Sequence, residues 1–207
     1  MGACSVAVLN ADVVLASRVE PMSRGHQERL ATLVAEAMTE AGLSFDQLDR
    51  VGVTIGPGSF TGLRVGLAFA KGLGQALGIP VAGVGTLEAI AAPFADRQGV
   101  TLAVLAAKPG HVFVQAFKGG QAVTTPNGST IDSATALLAQ LSGSSPVTLV
   151  GTGLEHFVTA PGARVGVEQA DPAIVAGLAA EKPTSPPKPL YLRAPDAKLP
   201  GGRELPK

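Results

Sequence analysis

Thr54-Ile55-Gly56-Pro57-Gly58-Ser59-Phe60-Thr61-Gly62-Leu63-Arg64-Val65-Gly66 joins a short apolar run to a glycine-rich turn and then to a long helical pattern. Val51 to Ile55, which leads into it, has the β-branched enrichment of a buried strand. Gly56-Pro57-Gly58 sets a fixed φ between two permissive residues, the mark of a tight loop. Ser59 and Thr61 follow as candidate helix caps. Gly62, Gly66, Ala70, Gly74 and Gly78 then recur every four residues and draw a ridge of missing side chains along an i±4 row. Each interior glycine costs roughly 1 kcal/mol of helix propensity relative to alanine, so the helix is expected to be a contact element. Packing inside its own domain and packing against another chain both satisfy that requirement, and the spacing does not choose between them.

Ser5 to Leu9 and Val13 to Val19 read as a hairpin about Asn10-Ala11-Asp12. From Gly25 to Ala41, Leu30, Leu33, Val34, Ala37, Met38 and Ala41 share one helical face, and Gly42 supplies a C-cap. Pro80 to Val84 reads as a strand, followed by a helix from Leu87 to Phe94 capped by Thr86, with Glu88 in its first turn. This alternation is the α/β signature of parallel strands covered by helices. Beyond a break at Asp96 to Gly99, three strands are expected at Leu102–Ala106, Val112–Phe117 and Gln121–Thr125. A helix over Ile131–Leu141 capped by Asp132 or Ser133, a strand at Val147–Val150, a turn at Gly151-Thr152-Gly153 and a last helix over Asp171–Ala180 complete the pattern. The expected organisation is a first lobe over residues 1–97, a second over 98–182 and a Pro-rich tail over 183–207. That tail carries Tyr191, the one tyrosine of the chain, as an aromatic anchor expected to dock on the protein's own surface.

Sixteen Lys and Arg balance sixteen Asp and Glu over 207 residues, so no whole-chain field draws the protein to nucleic acid or to an anionic membrane. Any role with RNA is expected to be indirect. A single cysteine excludes an internal disulfide framework and, with three dispersed histidines, makes a Cys/His zinc site improbable. No secretory signal pattern is visible at the N-terminus, and Arg64, Lys71 and Gln75 interrupt the small-residue helix too often for a bilayer. A reducing cytoplasm fits this composition.

The glycine loop lacks a following Lys-Ser or Lys-Thr pair and the G-x-G-x-x-G spacing, so Gly56, Gly58 and Gly62 are read as serving backbone geometry rather than phosphate contact. His26, His111 and His156 form no ligand pair, Ser59 lacks a nucleophile context, and the acidic residues show no catalytic spacing. The residues alone offer a packing helix and no assigned catalytic, cofactor or metal position.

Gly56-Pro57-Gly58-Ser59-Phe60-Thr61-Gly62-Leu63-Arg64-Val65-Gly66 with Gly83-Val84-Gly85-Thr86-Leu87, Arg24-Gly25-His26-Gln27-Glu28-Arg29-Leu30 and Pro189-Leu190-Tyr191-Leu192-Arg193 closely resembles the TsaB (YeaZ) family, the non-catalytic subunit of the bacterial tRNA threonylcarbamoyladenosine machinery. The resemblance covers essentially the whole chain. It implies an actin-like ATPase fold of two ribonuclease H-like lobes. It also implies a helical bundle between the first lobe and a TsaD-type catalytic paralogue or a second copy of the chain. The residues carried into that contact are His26, Leu30, Leu33, Gly62, Arg64, Gly66, Ala70, Lys71 and Gly74, with Gly56, Pro57, Gly58, Ser59 and Thr61 as the structural loop. A TsaE-type ATPase is the implied third partner. ATP or a threonylcarbamoyl-adenylate is then handled by partner subunits, and tRNA is met only through the complex. An autonomous hydrolase or ATPase of the same fold, glycoprotease-like, is the alternative.

Two departures from the family pattern stand out. Members open with a strand and loop of the type I-L-A-I-D-T-A ahead of the part matching Ala3-Cys4-Ser5-Val6-Ala7, so the first strand of the first lobe is expected to be missing here. Where the family commonly reads D-A-R-x-G-E-V-Y, this chain has Ala106-Ala107-Lys108-Pro109-Gly110-His111-Val112-Phe113, without the carboxylates.

Overall fold

The computed structural model describes residues 2–22, 25–158, 162–183 and 186–192, and of His26 the backbone alone. Arg24, Thr184, Ser185 and the expected tail from Arg193 to Lys207 lie outside the described residues.

Strand β1 (Ala3–Asn10) turns through Ala11 and Asp12 into antiparallel β2 (Val13–Pro21), as the hairpin pattern predicts. Helix α1 (His26–Ala41) enters from Gly25 at φ 82° and leaves through Gly42 at φ 68°, both left-handed positions that glycine takes without steric cost. Strand β3 (Val51–Gly56), helix α2 (Phe60–Leu77) and strand β4 (Val81–Gly85) form a parallel unit, and α3 (Thr86–Ala91) follows. The second lobe comprises β5 (Val100–Ala106), β6 (His111–Lys118), β7 (Gln121–Ala122), β8 (Asn127–Thr130), α4 (Ile131–Ser142), β9 (Val147–Gly151), β10 (Ala163–Gly166) and α5 (Pro172–Glu181).

Several element ends differ from the sequence reading. The cap of α3 is Gly85 rather than Thr86, because the Glu88 carboxylate reaches back to accept from the Gly85 N–H at 3.3 Å. The cap of α4 is Thr130, whose hydroxyl accepts from the Ser133 N–H at 3.2 Å, rather than Asp132 or Ser133. The strand expected at Gln121–Thr125 is two residues long. Its continuation is taken by the Thr124 side chain and by β8, which pairs with β6. Strand β10, parallel to β9, was not marked by any apolar run.

The second sheet runs β10-β9-β5-β6-β7, with β8 also on β6. Its centre is β5, parallel to β9 on one side and antiparallel to β6 on the other. The first lobe repeats the parts but not the centre. The antiparallel hairpin β1-β2 corresponds to the β6 and β8 side, and the parallel pair β3-β4 corresponds to β9-β10. Among the described residues no strand stands between them, so β1 and β3 each keep one unpaired edge. Burial follows: β9 is buried along its length and β5 over its first five residues, whereas β1 is fully buried only at Cys4 and Val8. Helix α1 covers the hairpin through Val34, Ala37 and Met38, α2 covers β3 through Leu67 and Ala70, and α5 lies against both β1 and β3 and so spans the gap.

The two lobes exchange helices. Helix α3 packs Leu87, Ile90 and Ala91 against Ala103, Phe117 and Val150 of the second sheet, whose other face is covered by α4 through Ala134 and Leu138. In return α5, assigned by sequence to the second lobe, packs Val175 and Ala179 against Ala82 and Val84 of the first sheet. At Gly52 the approach is so close that a Cβ would lie 2.6 Å from that of Ala179. Arg50 closes the end of α5 by donating to the carbonyls of Ala179 at 3.0 Å and Lys182 at 2.6 Å.

Candidate partner face and structural loop

The loop after β3 is built for close approach. Gly56 has φ 112°, and a Cβ there would lie 2.8 Å from the carbonyl oxygen of Leu190 in the tail. The Gly56–Pro57 peptide is cis, and Pro57 is buried. Ser59 caps α2 by accepting from the Gly62 N–H at 3.3 Å, while Thr61 lies exposed in the first turn and caps nothing. Gly151 ends β9 at φ 128°, as Gly56 ends β3, so the same strand-ending glycine recurs in both lobes.

Helix α2 buries Leu63, Leu67, Ala70 and Gly74. This corrects the reading of the small-residue ridge. A four-residue step advances roughly 40° around a helix, so a row from Gly62 to Gly74 drifts about a third of a turn. Its far end has therefore rotated into the lobe. Ala70 is 3 % exposed, and a Cβ on Gly74 would collide with Cγ2 of Val81. Gly62 and Gly66 are half-buried, and a Cβ on Gly66 would touch Val53 at 3.7 Å. In α1, Leu33 is fully buried core and Leu30 packs beside that core. Leu33, Ala70 and Gly74 thus point inward, whereas Arg64 and Lys71 are exposed.

The outward face of α2 carries Thr61, Arg64, Ala68, Lys71, Gly72, Gln75 and Ala76. Beside the start of α1 it forms an open groove of about 380 Å³, lined by Gln27, Phe60, Thr61, Arg64, Val65 and Ala68. The Arg64 guanidinium lies 3.8 Å from the centre of the Phe60 ring, and its Nε donates to the Tyr191 hydroxyl at 3.1 Å. The Phe60 and Tyr191 rings are 5.0 Å apart. Sequence reasoning missed Phe60, Val65, Ala68 and Gly72 in this role. The apolar set Leu63, Leu67 and Ala70 fixes the inner face, and the opposite side follows from it.

A charge network seats α1 on β2. Arg29 donates to Glu20 and Glu36, each at 2.7 Å, and Arg18 bridges Glu36 and Glu40. The hydrogen bonds from Arg29 hold both the Glu20 and Glu36 carboxyls below the usual glutamate value. Burial pushes the Cys4 thiol up, with the nearby Glu20 charge adding to it. Among the described residues, no three His, Cys, Asp or Glu side chains converge as metal ligands. No described helix is long and apolar enough to cross a membrane.

The family model for TsaD, tRNA N6-adenosine threonylcarbamoyltransferase, matches residues 16–180. The chain belongs to this family. Within it the chain is of the TsaB (YeaZ) type. Over 113 residues it is 35 % identical to the tRNA threonylcarbamoyladenosine biosynthesis protein TsaB of Escherichia coli, covering 54 % of this chain and 48 % of that one. An uncharacterized protein of Mycobacterium tuberculosis is 38 % identical over 188 residues, 90 % of this chain and 83 % of its own. The solved structure of YeaZ from Pseudomonas aeruginosa superposes with a TM-score of 0.71 at 25 % identity, covering 86 % and 85 % of the two chains. The architecture is accordingly the actin-like ATPase fold, two ribonuclease H-like lobes with helices exchanged between them.

Proposed function

We propose that the chain is a non-catalytic scaffold subunit in the making of threonylcarbamoyladenosine. It pairs through the outward faces of α1 and α2 with a TsaD-type paralogue and holds that paralogue competent to transfer the threonylcarbamoyl group to the tRNA adenosine 3′ of the anticodon. The observation that carries the reading is the small-residue face Thr61, Ala68, Gly72 and Ala76, beside a groove edged by Phe60 and Arg64. A helix stripped of bulk on its solvent side lets a second helix approach closely, and Ala68 and Gly72 lie one turn apart on that side. Arg64 and Lys71 supply charged contacts at its edge. The same face serves a homodimer, which the paralogue displaces. A TsaE-type ATPase and the paralogue handle ATP and the threonylcarbamoyl-adenylate, and tRNA is met only in the assembled complex, in the cytoplasm.

The test is threonylcarbamoyladenosine formation on tRNA in a mixture of the paralogue, the ATPase subunit and threonylcarbamoyl-adenylate, with and without this chain. Product that depends on the chain is the expected result. Gly72→Leu, which projects bulk into open space outside the lobe, should weaken the heterodimer at least tenfold. Equal product with and without the chain, or transfer by the chain alone, overturns the proposal.

A further inference from the structure

The tail crosses from one lobe to the other on three glycines. A Cβ on Gly83 in β4 would lie 2.9 Å from Cβ of Pro187, one on Gly56 at the end of β3 would lie 2.8 Å from the Leu190 oxygen, and one on Gly128 in β8 would lie 2.9 Å from the Leu192 oxygen. The first two seats belong to the first lobe and the third to the second. Between them the Leu190 N–H donates to the Ile55 carbonyl at 2.7 Å. Pro186, Pro187 and Pro189 restrict the free tail to extended shapes, so little chain entropy is lost when it seats. Pro187 is buried. Tyr191, held between the second and third seats, turns its ring to Phe60 and its hydroxyl to Arg64, two residues that line the α1–α2 groove.

We propose that residues 186–192 are a strap that ties the two lobes together and shapes the partner groove, with Tyr191 as the positioning residue that holds Phe60 and Arg64. Seating at Gly128, in the second lobe, thereby governs binding at α2 in the first. This rests on the reading of that groove as the partner face.

Tyr191 is the single tyrosine of a chain without tryptophan, so its fluorescence anisotropy, read at a concentration where the chain is monomeric, reports tail docking. In the full chain, Gly128→Val should lower that anisotropy, speed amide exchange across residues 54–66 of the other lobe, and weaken binding of the purified TsaD-type paralogue at least fivefold. Unchanged anisotropy, unchanged exchange at 54–66, or a freed tail with undiminished affinity would each overturn the strap. Gly72→Leu separates the two readings, because it should weaken binding at least tenfold while leaving the anisotropy of the monomer at its original value. If the unaltered chain does not bind the paralogue, the partner-face reading fails, and anisotropy with exchange still decides whether the strap exists. Tyr191→Ala covers the case in which Gly128→Val does not fold. It should weaken binding at least threefold with Tm lowered by no more than about 4 °C, and full affinity would count against the proposal.

Discussion

Arg64 and Tyr191, 127 residues apart in the chain, meet through a 3.1 Å hydrogen bond from Nε to the phenol, with the guanidinium stacked on Phe60. The cluster is half in solvent, Tyr191 being 40 % exposed. An exposed cation–π contact contributes about 0.5–1 kcal/mol, so Arg64→Ala should lower Tm by no more than about 4 °C. The same variant should mobilise Tyr191, read as lower fluorescence anisotropy. A large drop in Tm would mean that the cluster supports the core.

Gly72 and Gly74 should respond to alanine with opposite signs. Both gain roughly 1 kcal/mol of helix propensity. A Cβ at Gly72 meets open space, whereas one at Gly74 strikes Val81 and lies 3.0 Å from the Ile79 carbonyl. Gly72→Ala should therefore stabilise by about 0.5–1 kcal/mol, and Gly74→Ala should destabilise by about 1–3 kcal/mol through overpacking. Urea denaturation of the two variants checks the pair.

The Arg29 network predicts a pH dependence. Glu20 and Glu36 have carboxyls depressed in the folded state, so their stabilisation is present above the ordinary glutamate value of 4.5 and is lost as pH falls through the lower folded values. Arg29→Met should lower Tm at pH 7, and the gap from the unaltered chain should narrow as pH falls below 4.5. High salt should narrow it too, because the groups are solvent-accessible. A gap independent of pH would show that Arg29 acts through packing.

The open edges of β1 and β3 predict uneven protection. Amides of β1 and β3 should exchange faster than those of β5 and β9, whose strands are paired on both sides. A chain carrying an added apolar strand ahead of Ala3, antiparallel to β1 and parallel to β3, should complete the sheet as β5 completes the other. The added burial and ladder bonds should raise Tm on the order of 10 °C. Equal melting temperatures would show that the gap is closed by other means.

The sequence made the strand-loop-helix unit around Gly56 legible because local chemistry decides it. The positive-φ glycine at 42 and the Ser59 cap are written in single residues, whereas Gly78, read as the end of the small-residue ridge, is the left-handed C-cap of α2. Which face of α2 looks outward was legible only from the spacing of Leu63, Leu67 and Ala70, since the glycine row rotates away from any one face. Strand β8 was hidden because Pro126-Asn127-Gly128-Ser129-Thr130 has the composition of a turn and becomes a strand by pairing with β6. The place of α5 was hidden too. Its Val175 and Ala179 announce a buried helix, but nothing local tells which sheet they cover.

That placement has a consequence for synthesis. The first sheet is covered on one face only when residues 172–181 arrive, long after β4 is made, while the helix made just after β4 is already committed to strands not yet made. Neither half can mature alone on the ribosome. A fragment cut near residue 97 would carry α3 without its sheet and lack the cover of its own, and both halves should gain order in one step once residues 172–181 are in place.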